Sequence, residues 1–139
     1  SFLFNEILSL RVADGSWERI LPGELVNLDG SGSVFRAEAV DATIERRVAD
    51  LDIHPTATLC GLRSEMSDGV IETLERHAIE AHDDLKTGLE RLAVKAGHRP
   101  LRLRISDLSW EFEDDALWLE FRLPSGAFAT SVLREIATL

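Results

Sequence analysis

The chain has 139 residues, of which 45% are hydrophobic and 29% are charged, and it carries a formal net charge of −10. This composition is typical of a globular protein with one core and at most a small second unit. No apolar run approaches the ~20 residues that span a bilayer, and the single cysteine, Cys60, excludes an internal disulfide. We therefore expect a reducing, cytoplasmic setting and no membrane association.

The charge is unevenly distributed along the chain. Residues 65–90 contain eight acidic and two basic residues, whereas residues 91–104 contain five basic residues, one histidine and no acid. Because screening limits the reach of a charge to ~8 Å at physiological salt, a concentrated basic stretch can bind a polyanion locally even in an acidic protein. The stretch predicts either phosphate contacts or ion pairs with the acidic helix that precedes it.

The N-terminal half predicts helices around one hairpin. Apolar residues at helical spacing indicate a helix over residues 2–12. Strands are expected at residues 25–28 and 33–37, on either side of an Asp-Gly-Ser-Gly turn. Asp41 is a suitable cap for a short helix that ends near residue 51. Residues 53–56 should be extended, because a proline at position 55 disfavours the helical region for the residue before it.

A continuous apolar stripe follows. Seven residues between Leu74 and Ala96 step by three or four, which indicates about seven turns of helix beginning near Asp68. Gly88 lies inside this stripe, so two helices are an alternative. We expect Gly97 to end the helix and Pro100 to prevent it from resuming.

Alternating residues predict strands in the C-terminal part. Residues 101–105, 110–113 and 117–123 alternate between apolar and polar, and the last two segments flank an Asp-Asp turn. A final helix is expected from about residue 129 to residue 137. Hairpins and helices without regular β-α-β alternation define an α+β fold. The expected buried face of the last strand consists of Leu117, Leu119, Phe121 and Leu123.

The turn before the final helix carries a candidate binding residue. Pro124 and Gly126 end the strand, and Phe128 follows directly before the helix begins. Because two rigid elements hold this turn, an aromatic ring there suits the binding of a planar ligand. The alternative is a core phenylalanine that fills the turn.

The segment from Leu123 to Glu135, which contains Leu-Pro-Ser-Gly-Ala-Phe-Ala-Thr, resembles the C-terminal signature of the TruD family of tRNA pseudouridine synthases. Further blocks resemble family patterns in the same order. They are Leu3-Phe4-Asn5, the hairpin from Gly23 to Phe35, Asp52-Ile53-His54-Pro55-Thr56 with Leu59 and Gly61, and Arg99-Pro100-Leu101-Arg102 through Leu108-Ser109-Trp110. Ala57, Thr58 and Cys60 depart from the pattern of the third block.

The resemblance implies an isomerase that converts a uridine in the D-stem region of certain tRNAs to pseudouridine, without a metal or an organic cofactor. It implies that residues 1–100 are the later part of an insertion domain, with the first helix as a candidate to pack on the catalytic domain. Residues 101–139 would then be the closing strands and helix of the catalytic domain. The implied partners are tRNA and the remaining N-terminal part of the same enzyme, so the hairpin at residues 110–123 should expose an edge and apolar surface.

The resemblance also assigns site residues. Phe128 matches the aromatic that, in the family, packs beside the catalytic aspartate and against the target base, which favours the binding interpretation over the core one. Two histidines, His77 and His82, are five residues apart and miss the spacing for one helical metal site, so we expect no metal. The possible RNA-binding residues are Lys95, His98, Arg99, Arg102, Arg104 and Arg134.

The catalytic aspartate of the family lies in a G-x-K-D motif, and no Lys-Asp pair occurs in this sequence. We therefore expect no catalytic residue in the chain and no isomerase activity from the chain alone. The absence of an initiator methionine and of a cap before the first helix also favours a trimmed piece of a longer enzyme. The alternatives are a non-catalytic RNA-binding module and a protein-interaction domain.

Overall fold

A computed structural model describes residues 2–60, 67–92 and 95–137 of the chain. It divides the chain into two compact units, Ser1–Arg102 and Leu103–Leu139. Within the described residues, no helix is long and apolar enough to cross a membrane. The elements in chain order are α1 (Phe2–Ala13), β1 (Glu24–Leu28), β2 (Val34–Ala37), α2 (Ala42–Ala49), β3 (Ile53–Leu59), α3 (Gly69–Glu80), α4 (Asp83–Arg91), β4 (Gly97–Pro100), β5 (Ser106–Glu113), β6 (Ala116–Arg122) and α5 (Ala129–Ile136).

The helices and antiparallel sheets confirm the α+β fold class. Unit 1, residues 1–102, contains a four-stranded antiparallel sheet in the order β2-β1-β3-β4. In its register Val26 of β1 lies opposite both Phe35 and Pro55, and Thr58 of β3 lies opposite His98 of β4. The boundary at residue 102 is close to the expected one at residue 100, while the assignment of the units to insertion and catalytic domains stays a prediction.

The core of unit 1 forms where helices cover this sheet. Helix α1 packs on β3 and on α3, Ala78 of α3 shares a buried cluster with Ala57 of β3, and α2 covers the β1–β2 side. The side-chain carboxylate of Asp41 accepts hydrogen bonds from the backbone N–H groups of Thr43 and Ile44, both at 2.9 Å, which confirms the predicted cap of α2. One buried cluster contains Phe4, Ile7, Ala57, Ala78 and Leu101, and the other contains Ile20, Val26, Ala37 and Ile53.

The prediction of one continuous helix from residue 68 onward is wrong, because the structure contains two helices there. The helix divides at Ala81 and His82, and Gly88, the expected point of bending, lies inside α4. A second helix begins at this point because Asp83 and Asp84 occupy its first turn, where carboxylates stabilise the positive end of the helix dipole. His82 is held there by the ring of Phe2, which packs edge-on at 5.0 Å.

The predicted strand at residues 101–105 is also wrong, because the strand lies just before it. Residues 97–100 form β4 as a result of pairing with β3, and the backbone N–H of Leu101 extends this pairing to Pro55 O at 2.9 Å. The side chain of Arg102 is hydrogen-bonded to β3. It therefore does not lie on the polar face of a strand, as the alternating sequence had suggested.

Unit 2, residues 103–139, consists of the β5–β6 hairpin and α5. Antiparallel pairing of Trp110 with Leu119 and of Phe112 with Leu117 places these four side chains on one face of the hairpin. The predicted buried face is not buried within this unit: Leu117 is 41% exposed, and the other three residues of that face are half-buried. Trp110 and Phe112 are 66% and 74% exposed, which agrees with the expected apolar surface.

Candidate functional site

The turn between β6 and α5 holds Phe128 at the surface of unit 2. The backbone N–H of Ala127 donates to Pro124 O at 3.1 Å, and Gly126 adopts a φ of +86°, which favours glycine. Phe128 is the N-cap of α5 with an extended backbone, and its carbonyl accepts from the N–H of Ser131 at 3.0 Å. Both sides of the residue are thus held by backbone hydrogen bonds.

The ring of Phe128 is 66% exposed, so unit 2 does not use it as a core residue. The neighbouring helix buries Val132 instead, which is 6% exposed. A large exposed aromatic ring on a turn fixed by a strand and a helix offers a flat apolar surface to a ligand. Arg134, the other predicted site residue on α5, is exposed in the last turn of that helix, whereas Phe128 lies at its beginning.

The predicted basic residues are divided between the two units and differ in their surroundings. Lys95 and Arg99 are exposed in unit 1, and the guanidinium of Arg99 lies 5.4 Å from the centre of the Phe4 ring. His98 is half-buried in β4, whereas Arg104 is exposed in unit 2. Among the side chains that the structure describes, Lys95 and Arg99 form no ion pair with the acids Glu72, Glu75, Glu80, Asp83 and Asp84 of α3 and α4, so both charges can act on a ligand.

Arg102 serves the fold of unit 1. Its Nε donates to His54 Nδ1 at 3.1 Å, and its Nη2 donates to the carbonyl oxygens of Val48 at 2.6 Å and Ile53 at 3.1 Å. Since an arginine only donates, His54 Nδ1 accepts, and His54 Nε2 carries the proton that it shares with Asp29 Oδ1 at 2.8 Å. The guanidinium that was predicted to bind RNA therefore ties α2 and β3 to the segment after β4.

A second set of charged residues, which the sequence analysis did not identify, lies inside unit 1. Arg11 of α1 and Glu24 of β1 form an ion pair of 2.8 Å with both side chains fully buried. Burial raises the pKa of the Glu24 carboxyl, and the guanidinium of Arg11 opposes this shift. Glu75 of α3 is also fully buried, and burial raises its pKa to about 7. The helical and strand patterns of the sequence place Arg11, Glu24 and Glu75 at surface positions, so the sequence did not indicate that they are buried.

Within residues 2–60, 67–92 and 95–137, no group of three or more histidine, cysteine or carboxylate side chains is placed to hold a metal ion. Cys60 is half-buried, and burial raises the pKa of its thiol. A raised pKa disfavours the reactive thiolate. Among the predicted site residues, the ring of Phe128 and the exposed cations are available for ligand binding, and both are chemical types that contact nucleic acids.

Comparison with known proteins identifies the family. Residues 1–136 match the sequence model of tRNA pseudouridine synthase D (TruD). The chain is 46% identical over 143 residues to tRNA pseudouridine synthase D of Psychrobacter arcticus, covering 98% of this chain and 36% of that protein. It is 41% identical over 138 residues to the protein of the same name from Nitrosococcus oceani, covering 98% of this chain and 38% of that protein. The chain belongs to the TruD family.

A solved structure shares the fold. The crystal structure of a Methanosarcina mazei protein assigned to TruD matches with a TM-score of 0.70 and 22% sequence identity, over 96% of this chain and 35% of that protein. The chain thus spans between a third and two fifths of the length of the relatives that it matches. Gly61, one residue of the family resemblance, lies outside the described residues.

Proposed function

We propose that this chain is part of a tRNA pseudouridine synthase, an isomerase that converts a uridine in the D-stem region of certain tRNAs to pseudouridine. The observation that carries the proposal is the exposed ring of Phe128, held at the start of α5 within the sequence block that resembles the TruD signature. The identity to proteins named tRNA pseudouridine synthase D supports it. The cytoplasm, where tRNA is available, is the proposed location.

Phe128 would bind the target base. An enzyme that acts on a base within folded RNA must turn the nucleotide out of its stack, and the free base then needs a flat surface. Stacking on an aromatic side chain stabilises such a base by ~1–3 kcal/mol. A ring that unit 2 leaves two-thirds exposed (66%) provides that surface without repacking a core.

The catalytic aspartate would come from outside this chain. Isomerisation in the family depends on the aspartate of a G-x-K-D motif, and this sequence contains no Lys-Asp pair. The N-terminal part of the same enzyme is the proposed source. It is also the proposed partner for the apolar face of the β5–β6 hairpin, because Trp110 and Phe112 would otherwise remain largely in water.

Lys95 and Arg99 are the proposed phosphate contacts in unit 1. Both side chains are exposed, and among the described side chains neither forms an ion pair with an acid. Arg102 is left out of this proposal because its guanidinium already donates to His54, Val48 and Ile53. His98, Arg104 and Arg134 are secondary candidates. The proposal includes no metal and no organic cofactor.

The test is a tritium-release assay on tRNA labelled at C5 of uridine, with the full-length enzyme that contains this chain and with the isolated chain as a matched control. The full-length enzyme should release tritium, and the isolated chain should not exceed the no-enzyme background. Turnover by the isolated chain would refute the claim that the nucleophile lies elsewhere. A full-length protein that binds tRNA without turnover would favour a non-catalytic RNA-binding module.

A further inference from the structure

Two buried carboxylates complete the hydrogen bonding of β3 beyond its pairing with β1. The β1–β3 register ends at Pro55. Beyond it, the backbone N–H groups of β3 that point away from β4 belong to Thr56 and Thr58. The N–H of Thr56 donates to Glu24 Oε1 at 3.3 Å, and the N–H of Thr58 donates to Glu75 Oε1 at 3.1 Å. Two side chains therefore replace the carbonyl groups of a neighbouring strand.

The two carboxylates differ in how many of their oxygens accept hydrogen bonds. Glu24 binds Arg11 and also accepts from the N–H groups of Leu21 and Thr56, so both of its oxygens are engaged. Among the residues that the structure describes, Glu75 Oε2 is buried without a hydrogen-bond partner, and so is Thr58 Oγ1. An ionised carboxylate with one oxygen unbound in a dry interior is strongly destabilised.

Within the described part of the chain, the charges around Glu75 do not compensate for its burial. Arg11 of α1 acts on the carboxylate, but this guanidinium is already paired with Glu24 of β1. The thiol of Cys60, directly after β3, interacts electrostatically with the same carboxylate, and His98 of β4 lies opposite Thr58. Burial is the main reason that the pKa of Glu75 rises to about 7; Glu24 adds to the rise, while Arg11 and the backbone N–H groups of Thr58 and Ser67 oppose it.

We propose that Glu75 is a pH-sensitive latch that holds the middle of α3 against β3. When the carboxyl is neutral it remains inside and accepts the hydrogen bonds of the Thr58 and Ser67 backbone N–H groups. When it is ionised it moves toward water, and the contact between Glu75 and Thr58 opens. The opening is local, because Ile71, Ala78 and Ile79 of α3 stay buried and keep the helix on the sheet. The proposal concerns unit 1 alone and does not depend on the proposed isomerase function.

The experiment measures amide hydrogen exchange at Thr58 by NMR on the full chain and on Glu75→Gln, between about pH 5 and about pH 8.5. Glutamine keeps the carbonyl acceptor for Thr58 and cannot ionise. After correction for intrinsic exchange, the ratio of the Glu75→Gln protection factor to the wild-type one should rise by about two orders of magnitude over this range. A ratio that stays constant with pH would overturn the proposal.

Glu72→Gln is the matched control, because Glu72 lies one turn earlier on α3 with a side chain that is 36% exposed. It should leave the pH dependence at Thr58 unchanged, and an equal response would show that any charge on α3 suffices, which would overturn the latch. Should Glu75→Gln fail to fold, the ¹³C shift of the wild-type carboxyl gives the answer directly. A midpoint near 7 supports the latch, and a midpoint near the ordinary 4.5 overturns it.

Discussion

The guanidinium of Arg102 donates a hydrogen bond from Nε to His54 Nδ1 over 3.1 Å, joining the segment after β4 to the start of β3. Its Nη2 reaches two further acceptors, the carbonyl oxygens of Val48 and Ile53. His54 in turn forms a hydrogen bond through Nε2 to Asp29 Oδ1 in the β1–β2 turn. Arg102 and His54 thus link four segments of unit 1, although the sequence analysis had named Arg102 among the possible RNA-binding residues.

Removal of this arginine should destabilise the fold more than removal of its exposed neighbour. Arg102→Ala removes three hydrogen bonds and should lower the free energy of unfolding by about 2–3 kcal/mol. Arg99→Ala is the control, since its side chain is exposed, and it should cost less than about 1 kcal/mol. Urea denaturation of the chain measures both. Equal losses would show that the contacts of Arg102 contribute nothing specific.

The buried pair of Arg11 and Glu24 predicts strong non-additivity. Arg11→Met leaves a buried carboxylate unpaired and should cost about 3–5 kcal/mol. Adding Glu24→Gln removes the unpaired charge and keeps an oxygen for the N–H groups of Leu21 and Thr56, so the double variant should recover part of that loss. A double-mutant cycle by urea denaturation gives the coupling energy. A double variant that is less stable than Arg11→Met would contradict this account.

The pH dependence of stability follows from Glu75. Its pKa is raised from 4.5 to about 7, so between these values the folded chain holds a proton that the unfolded chain has released. The stabilisation by this group is complete below about pH 4.5 and is lost as the pH rises through about 7, a loss on the order of 3 kcal/mol. Glu75→Gln should match the wild type near pH 4.5 and exceed its stability at about pH 8.

Urea unfolding midpoints across this pH range measure the difference between the two proteins. Glu24 is present in both proteins, so its own titration contributes to both curves and only its electrostatic coupling to Glu75 differs. Glu72→Gln should follow the wild-type curve, since its carboxylate is partly exposed and pairs with Arg76. Parallel curves for the wild type and Glu75→Gln would show that the buried carboxyl does not govern the pH response.

The proposed phosphate contacts predict a change in salt dependence. Replacing both Lys95 and Arg99 by alanine in the full-length enzyme should lower tRNA affinity and reduce the slope of log K against log salt by about 1–2. Replacing Arg76, which pairs with Glu72, is the control and should leave the slope unchanged. Filter binding at several salt concentrations measures it. An unaltered slope in the Lys95 and Arg99 variant would remove these residues from the interface.

Local signals predicted local structure well. Helical spacing gave α1 and α5, the Asp41 cap gave α2, and the turn sequences gave both hairpins, because each of these depends on a few neighbouring residues. Tertiary partners decided the rest. Gly97–Pro100 became a strand because β3 lies beside it, and the helix broke at Ala81–His82, although the apolar stripe continues through the break.

In the candidate site, too, local sequence predicted some features and tertiary packing determined the others. Phe128 stands out in sequence because proline and glycine isolate it between two elements, and the structure leaves its ring 66% exposed. The role of Arg102 depends on acceptors about fifty residues earlier in the chain, which no spacing rule reveals. The burial of Glu24 and Glu75 likewise depends on the packing of α1 and α3 against β3.

The central claim is that the Phe128 ring stacks on the everted uridine, and the kinetics of three full-length enzymes test it: the wild type, Phe128→Ala and Phe128→Tyr. Phe128→Ala should lose about tenfold to hundredfold in kcat/KM, because ~1–3 kcal/mol of stacking is removed, while Phe128→Tyr keeps a ring and should retain most of the activity.

Affinity for tRNA should fall much less, since phosphate contacts supply most of it. The thermal stability of Phe128→Ala should drop by less than the ~3–5 kcal/mol typical of a truncated core phenylalanine. A variant that melts far below the wild type while its folded fraction isomerises at the normal rate would contradict the claim.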